Sequence, residues 1–270
     1  MVWKPASDCL VPLEVGGAGR TVYCVHALGG TVAYYAPVAR RLARARDVFG
    51  LQCHGIAPGN TPDRTIEEMA ARYVDVVTRH QPAGPYEILG YSMGGFIAFE
   101  MARVLEARGE EVALTGLVDT DPPHTQQASL STVQALGLLS RAVGLTPPFT
   151  APEEQPDEAL YEQFLAEAVR QERLPPTFLP QDLKPMVDIY AVNGHACARY
   201  DPDALFGGVH CLFTHRPDST PEQLAEGWRD YVDGELRMDA IEADHHALMH
   251  ERHAAQVAEV VLRWLTGEAM

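Results

Sequence analysis

Apolar and polar positions alternate between two patterns along this chain of 270 residues. Short apolar runs rich in Val, Ile, Leu and Tyr predict buried strands, and longer stretches with apolar residues at helical spacing predict amphipathic helices. The predicted strands are residues 20–25, 47–52, 86–91, 113–119, 209–214 and 236–243. The predicted helices are residues 35–46, 65–80, 93–108, 183–200, 221–231 and 251–265.

The order of these elements predicts the fold class. Strands that alternate with helices favour an α/β fold, with a mostly parallel sheet covered by helices on both faces. The alternation breaks between residues 121 and 183, where no strand is predicted and two helical patterns cover residues 130–143 and 157–173. We therefore predict one domain, residues 10–268, with a helical insertion at residues 121–183.

One predicted strand turns into a helix through the sequence Gly90-Tyr-Ser-Met-Gly94. A serine on such a tight turn stands at the carboxyl end of a strand, where α/β sheets carry their reactive groups. The glycines allow the helix to pack closely on the strand, and the positive end of the helix faces the serine. The pattern is that of a nucleophile elbow, so Ser92 is the predicted nucleophile.

A serine nucleophile needs a histidine as base and a carboxylate to orient that histidine. In chain order the expected sequence is Ser, acid, His. Of the 11 histidines, His245 lies nearest to the end of the last predicted strand and is the predicted base. His246 and His250, which follow closely, are the alternatives.

Three aspartates are candidates for the acid. Asp119 ends the strand that follows the nucleophile's helix, and Asp218 follows the next strand along the chain. Asp121 is a third candidate, because the two prolines after it would fix its backbone. Position alone does not decide between them, since both strands end at the same edge of the sheet.

Acyl transfer also requires two N–H donors for the oxyanion. One is expected from Met93, the residue after the nucleophile, and the other from the loop after an early strand. That loop contains Ala27 and two glycines, so Ala27 is the predicted second donor. His26, next to it, is interpreted as a site-lining or structural residue.

Composition excludes several classes of function. The formal charge of −16 argues against nucleic-acid binding and is typical of a soluble monomer. No apolar run approaches the roughly 18 residues of a membrane span, and no signal peptide is apparent. The five cysteines match no zinc or disulfide pattern, which favours reduced thiols, a cytoplasmic protein and no metal site.

Several stretches together resemble the thioesterase domains that end nonribosomal peptide synthetases and polyketide synthases, the type I thioesterases of the α/β-hydrolase superfamily. The matching stretches are distributed over nearly the whole chain and are Leu10-Val-Pro-Leu, Val25-His-Ala-Leu-Gly-Gly, Phe49-Gly-Leu-Gln, Gly84-Pro-Tyr, Gly90-Tyr-Ser-Met-Gly-Gly, Leu117-Val-Asp-Thr-Asp-Pro-Pro and Asp244-His. Two positions depart from the family pattern, with Ala27 where proline is common and Ala243 where glycine is common.

The resemblance implies an α/β-hydrolase fold and an activity. The expected function is release of an acyl or peptidyl chain from the phosphopantetheine arm of a carrier protein, by hydrolysis or macrocyclisation, with no bound cofactor. Asp119 matches the acid of the synthase-ending group, whereas Asp218 would match the stand-alone editing thioesterases. The alternatives are such an editing enzyme, a general carboxylesterase, and a non-catalytic binding module on the same scaffold.

Overall fold

A computed structural model of the protein describes residues 9–16, 19–57, 59–124, 130–152 and 157–267. In these ranges the strands are β1 (Leu10–Glu14), β2 (Thr21–Val25), β3 (Asp47–Leu51), β4 (Tyr86–Tyr91), β5 (Val112–Val118), β6 (Val209–Thr214) and β7 (Leu236–Ile241). They form one sheet in the order β1-β3-β2-β4-β5-β6-β7. β1 is antiparallel to β3, and every other neighbouring pair is parallel.

Helices connect the parallel strands. In the described part of the chain they are α1 (Ala36–Leu42), α2 (Ile66–His80), α3 (Met93–Ala107), α4 (Thr132–Ala142), α5 (Asp157–Arg170), α6 (Pro180–Arg199), α7 (Pro221–Trp228) and α8 (Glu251–Thr266). None of these helices combines the length and apolar character that a bilayer span requires.

The sheet is buried on both faces, which explains why its central strands are mostly apolar. In β2, Val22 and Cys24 pack into a core with residues of α1 and α8. The alternate residues, Tyr23 and Val25, point to the opposite face and pack with residues of α2, α3 and α7. The predicted mostly parallel sheet with helices on both faces is therefore present.

All the predicted strands are confirmed, with ends that differ from the predicted ones by at most two residues. β1 was not predicted, because only Leu10 of this edge strand is buried and Pro12 interrupts the pattern. Proline is tolerated there because an edge strand leaves some N–H groups without a ladder partner. The first helix is shorter than predicted and ends at Leu42, whereas α6 begins earlier, at Pro180.

The predicted insertion at residues 121–183 includes α4, α5 and the first residues of α6, and no strand occurs in its described residues. These three helices enclose a small apolar core of their own, separate from the two cores of the sheet. Leu136 and Leu139 are buried in it, and Leu138 and Val143 pack against it. The apolar faces of α4 therefore serve the packing of these helices.

Candidate active site

Ser92 lies on the turn between β4 and α3 in a strained backbone conformation. Its φ of 56° and ψ of −128° fall in a region that residues other than glycine rarely adopt. Three hydrogen bonds hold it: its N–H donates to Val118 O at 2.9 Å, and its carbonyl accepts from Gly95 N at 2.9 Å and Thr120 Oγ1 at 2.8 Å. These bonds present the hydroxyl away from the sheet.

The two glycines of the elbow permit a close approach of backbone to backbone. A Cβ on Gly90 would lie 2.0 Å from the carbonyl oxygen of Gly94. A Cβ on Gly94 would lie 2.5 Å from Val25 O in β2. Any side chain at either position would push α3 away from the strands and displace Ser92.

His245 lies on a short turn after β7, with its imidazole between Ser92 and Asp119. Its Nε2 is 3.1 Å from Ser92 Oγ, and its Nδ1 is 2.6 Å from Asp119 Oδ2. With the proton on Nδ1, the ring donates to the carboxylate and leaves Nε2 free to accept the serine proton. The alternatives His246 and His250 are exposed, and neither is hydrogen-bonded to Ser92.

Asp119 follows β5 and is 1% exposed. Its Oδ1 accepts from Thr214 N at 2.9 Å, from Thr214 Oγ1 at 3.0 Å and from Arg216 Nη2 at 2.9 Å. Burial by itself would raise the pKa of this carboxyl group. The contact with His245, the donors of Thr214 and the Arg216 charge outweigh burial, and the pKa falls to about 2.

The other two candidate acids lie elsewhere. Asp218 is exposed on the loop before α7 and makes no contact with His245 among the described residues. Asp121 Oδ1 accepts a hydrogen bond from Arg216 Nη1 at 2.6 Å. The structure therefore brings Asp119, and neither alternative, to the imidazole.

The predicted oxyanion donors differ in their surroundings. Met93 is the first residue of α3, so its backbone N–H has no partner within the helix. The N–H of Ala27, in contrast, donates to Tyr34 Oη at 2.6 Å. This bond already uses the donor that the sequence assigns to the oxyanion. The next residue, Leu28, lines the cavity in front of Ser92 and Met93, and its N–H has no acceptor among the described residues.

His26 is structural. It is fully buried, and its Nδ1 lies 2.8 Å from Ala27 O while its Nε2 lies 2.7 Å from Tyr73 Oη. Burial lowers the pKa of His26 to about 4, although the bond to the Ala27 carbonyl favours the protonated form. The ring therefore stays neutral at ordinary pH and fastens the loop after β2 to α2.

A cavity of about 280 Å³ opens in front of the serine. Leu28, Met93, Phe96 and Cys197 supply apolar lining, and the side chains of Asp121 and Arg216 supply charged lining. Thr120, Thr214 and Arg216 were not predicted as site residues, although each lies at or just after the carboxyl end of β5 or β6. A larger open groove beside α2, of about 730 Å³, has a mostly charged lining and contains none of these residues.

No cluster of His, Cys, Asp and Glu able to hold a metal ion occurs in the ranges that the structure describes. All five cysteines are buried, and none of them forms a disulfide. The groups that the structure brings together at the site are a serine hydroxyl, an imidazole and a carboxylate, beside the backbone amides at the start of α3.

Comparison with known proteins identifies relatives. A family model described as "Thioesterase domain" matches residues 20–265. The chain is 29% identical over 266 residues to a dimodular nonribosomal peptide synthase of Bacillus subtilis, which covers 96% of this chain and 11% of that protein. It is 27% identical over 259 residues to malpinin synthetase of Mortierella alpina, with coverage of 94% and 3%. The chain thus spans only a small part of these relatives.

Solved structures share the architecture. A four-domain nonribosomal peptide synthetase, crystallised with AMP and glycine, matches with a TM-score of 0.83 and 26% identity over 94% of this chain and 20% of that one. The NocB thioesterase domain, in covalent complex with a fluorophosphonate nocardicin G analogue, matches with a TM-score of 0.63 and 25% identity. That match covers 92% of this chain and 95% of the other. The fold is the α/β-hydrolase fold.

Proposed function

The chain belongs to the thioesterase domain family, and from that premise we propose that Ser92, His245 and Asp119 form a catalytic triad that releases an acyl or peptidyl chain from a thioester. The observation that carries the proposal is the continuous hydrogen-bonded path from carboxylate to hydroxyl. It runs from Asp119 Oδ2 over 2.6 Å to the imidazole, and from the imidazole over 3.1 Å to Ser92 Oγ.

The reaction proceeds in two acyl transfers. Ser92 Oγ attacks the thioester carbonyl carbon while His245 Nε2 takes the hydroxyl proton, and Asp119 stabilises the resulting imidazolium. The C–S bond then breaks, and the imidazolium returns its proton to the departing sulfur. Water, or a hydroxyl or amine of the acyl chain itself, next attacks the acyl-serine. His245 takes that nucleophile's proton and gives it back to Ser92 Oγ.

Two backbone amides stabilise the oxyanion in both steps. One is the N–H of Met93, at the positive end of α3. The second is assigned to Leu28 in place of Ala27, because Leu28 lines the cavity and the Ala27 N–H is bonded to Tyr34. Loss of one oxyanion donor typically lowers kcat by about 10²–10³-fold in other hydrolases.

The substrate reaches the site on the phosphopantetheine arm of an acyl or peptidyl carrier protein. Support comes from the relatives, which include a dimodular nonribosomal peptide synthase and a four-domain nonribosomal peptide synthetase. Residues 10–268 act as one domain in this proposal, and residues 121–183 form a lid over the cavity. Cys197 of α6 lines the cavity, so a movement of α6 would change the space available to the acyl chain.

The acyl-serine has two fates, hydrolysis to an acid or attack by the chain itself to give a lactone or lactam. The cavity is small, and its lining combines apolar and charged side chains. An editing thioesterase and a carboxylesterase would use the same triad, because the fold alone does not select the leaving group.

The test presents one acyl group in two forms, as an N-acetylcysteamine thioester and as the matching oxygen ester. We expect a strong preference for the thioester, and we expect turnover to vanish in Ser92→Ala. Turnover of the oxygen ester at an equal or higher kcat/KM would indicate a carboxylesterase. A wild-type protein that neither turns over a substrate nor reacts with a fluorophosphonate probe would indicate a binding module.

A further inference from the structure

Tyr91, which the proposed mechanism leaves without a role, contacts the imidazole of His245 in two ways. Its ring stacks on the imidazole with centroids 5.1 Å apart and an interplanar angle of 25°. Its hydroxyl donates a hydrogen bond of 2.5 Å to the backbone carbonyl of His245. One buried side chain, the last of β4, therefore contacts both the ring and the backbone of the base.

A second tyrosine supports the first. The ring of Tyr34 meets the ring of Tyr91 edge-on, with centroids 5.5 Å apart and planes at 60°. Tyr34 also packs on the ring of Tyr35 at 4.8 Å. Its hydroxyl oxygen accepts the Ala27 N–H at 2.6 Å, and this bond fixes the end of the side chain.

The bond to Tyr34 depends on the residue at position 27. Proline, common there in related domains, has no N–H and could not make it. Ala27 supplies the donor, so a continuous set of contacts runs from Ala27 through Tyr34 and Tyr91 to His245. These contacts join the loop after β2 to the loop that carries the base.

We infer that Tyr91 is a positioning residue for His245, and that Tyr34, held by the Ala27 N–H, positions Tyr91 in turn. This inference rests on the proposed function, in which His245 is the base. The imidazole stands on a short turn, and its side chain is 30% exposed. The hydrogen bonds of the imidazole are made by its two ring nitrogens. The stacked ring of Tyr91 contacts the face of the imidazole and restrains rotation of the His245 side chain. Such restraint matters because a misplacement of about 1 Å can cost about a hundredfold in rate.

The main test uses two tyrosines of the same strand. Tyr91→Phe keeps the stacked ring and loses the bond to the His245 carbonyl. Tyr86→Phe is the matched control, because Tyr86 is buried at the other end of β4 and donates a similar bond of 2.9 Å to Gln81 O. We expect kcat on the N-acetylcysteamine thioester to fall about fivefold in Tyr91→Phe at unchanged KM, and to stay at the wild-type value in Tyr86→Phe.

Removal of the ring should cost more. Tyr91→Leu loses both contacts, and we expect kcat to fall about a hundredfold. Thermal unfolding of each variant reports whether the fold is intact, and Tyr91→Phe remains decisive if Tyr91→Leu does not fold. Equal kcat in Tyr91→Phe and Tyr86→Phe would overturn the role of Tyr91.

The role of Tyr34 is tested from both ends of its bond. Tyr34→Phe and Ala27→Pro remove the same hydrogen bond, so we expect similar losses of kcat, and no further loss in the double variant. A loss beyond about a hundredfold in Ala27→Pro with a wild-type rate in Tyr34→Phe would overturn this part. That result would make the Ala27 N–H an oxyanion donor.

The rate of Ser92 labelling by a fluorophosphonate separates this inference from the proposed function. Labelling requires the nucleophile and its base and does not require the correct acyl chain. A wild-type protein that labels but turns over no thioester would refute the proposed substrate. In that case, slower labelling in Tyr91→Phe than in Tyr86→Phe would still support the positioning role, and equal labelling would overturn it.

Discussion

Replacement of Asp119 by asparagine exchanges one carboxylate oxygen for an NH₂ group and tests the proposed catalytic triad. Three donors face Oδ1, namely Thr214 N–H, Thr214 Oγ1 and the Arg216 guanidinium. An amide at this position therefore turns its oxygen toward those donors and its NH₂ group toward His245. The imidazole then meets a donor at Nδ1, where it met an acceptor 2.6 Å away.

The size of the effect follows from the tautomer. With a donor opposite Nδ1, the neutral ring carries its proton on Nε2 and cannot accept the Ser92 proton. The same exchange in a serine protease lowers kcat by about 10⁴-fold, which corresponds to about 5.4 kcal/mol at 1.36 kcal/mol per tenfold. We expect a loss of this order in Asp119→Asn, with little change in KM.

The assay is steady-state turnover of the thioester, with Asp218→Asn as the matched control because Asp218 is exposed and away from the imidazole. Thermal unfolding shows whether Asp119→Asn retains the fold. The reasoning is refuted if folded Asp119→Asn keeps more than about a tenth of wild-type kcat. Loss of turnover in Asp218→Asn would give the role of the acid to that residue.

Three further predictions concern stability and the elbow. Burial lowers the pKa of His26 from 6.5 to about 4, so between these pH values the unfolded chain binds more protons than the folded protein. The folded protein therefore loses stability as the pH decreases through this interval. The free energy of unfolding, measured by urea titration, should therefore drop between about pH 7 and about pH 5, and this drop should be about 2 kcal/mol smaller in His26→Gln than in the wild type. An equal drop in the two proteins contradicts this. Thr120→Val removes the hydroxyl that binds Ser92 O, and kcat should fall about fivefold in the thioester assay; a wild-type rate contradicts this. Gly94→Ala should cost about 3 kcal/mol or more in urea unfolding. Gly137→Ala on α4, whose Cβ would lie 3.4 Å from its nearest neighbour, Phe149 O, should cost almost nothing; equal costs contradict this.

The fold was predictable where local pattern and tertiary packing agree. β4 and β6 have the bounds that the sequence predicts, because these apolar strands are buried from end to end or nearly so. β1 escaped prediction because an edge strand buries little and tolerates proline. The sequence does contain residues typical of a helix start at the true beginning of α6, although the predicted helix begins three residues later. Pro180 stands at its first position, and the Asp182 side chain accepts the Leu179 N–H at 2.8 Å.

The candidate site was predictable to a different degree for each residue. Ser92 follows from a local motif, and His245 follows from chain order and the end of β7. The second oxyanion donor that we propose, Leu28, did not follow from the sequence, because the proposal rests on the bond from the Ala27 N–H to Tyr34, seven residues away on a separate turn. No spacing in the sequence predicts that contact. The sequence does show that position 27 has a backbone N–H, because it carries alanine where proline is common.

The choice between Asp119 and Asp218 depends on the structure more than any other part of the candidate site. Asp119 and Asp218 both follow strands that end at the same edge of the sheet, so sequence position leaves both open. In the structure the end of β6 contributes donors: Thr214 gives its N–H and hydroxyl to the carboxylate that follows β5. Arg216, two residues later, adds its guanidinium to the same carboxylate. The end of β6 and the loop after it thus stabilise the carboxylate that follows β5, because the two strands are neighbours in the sheet.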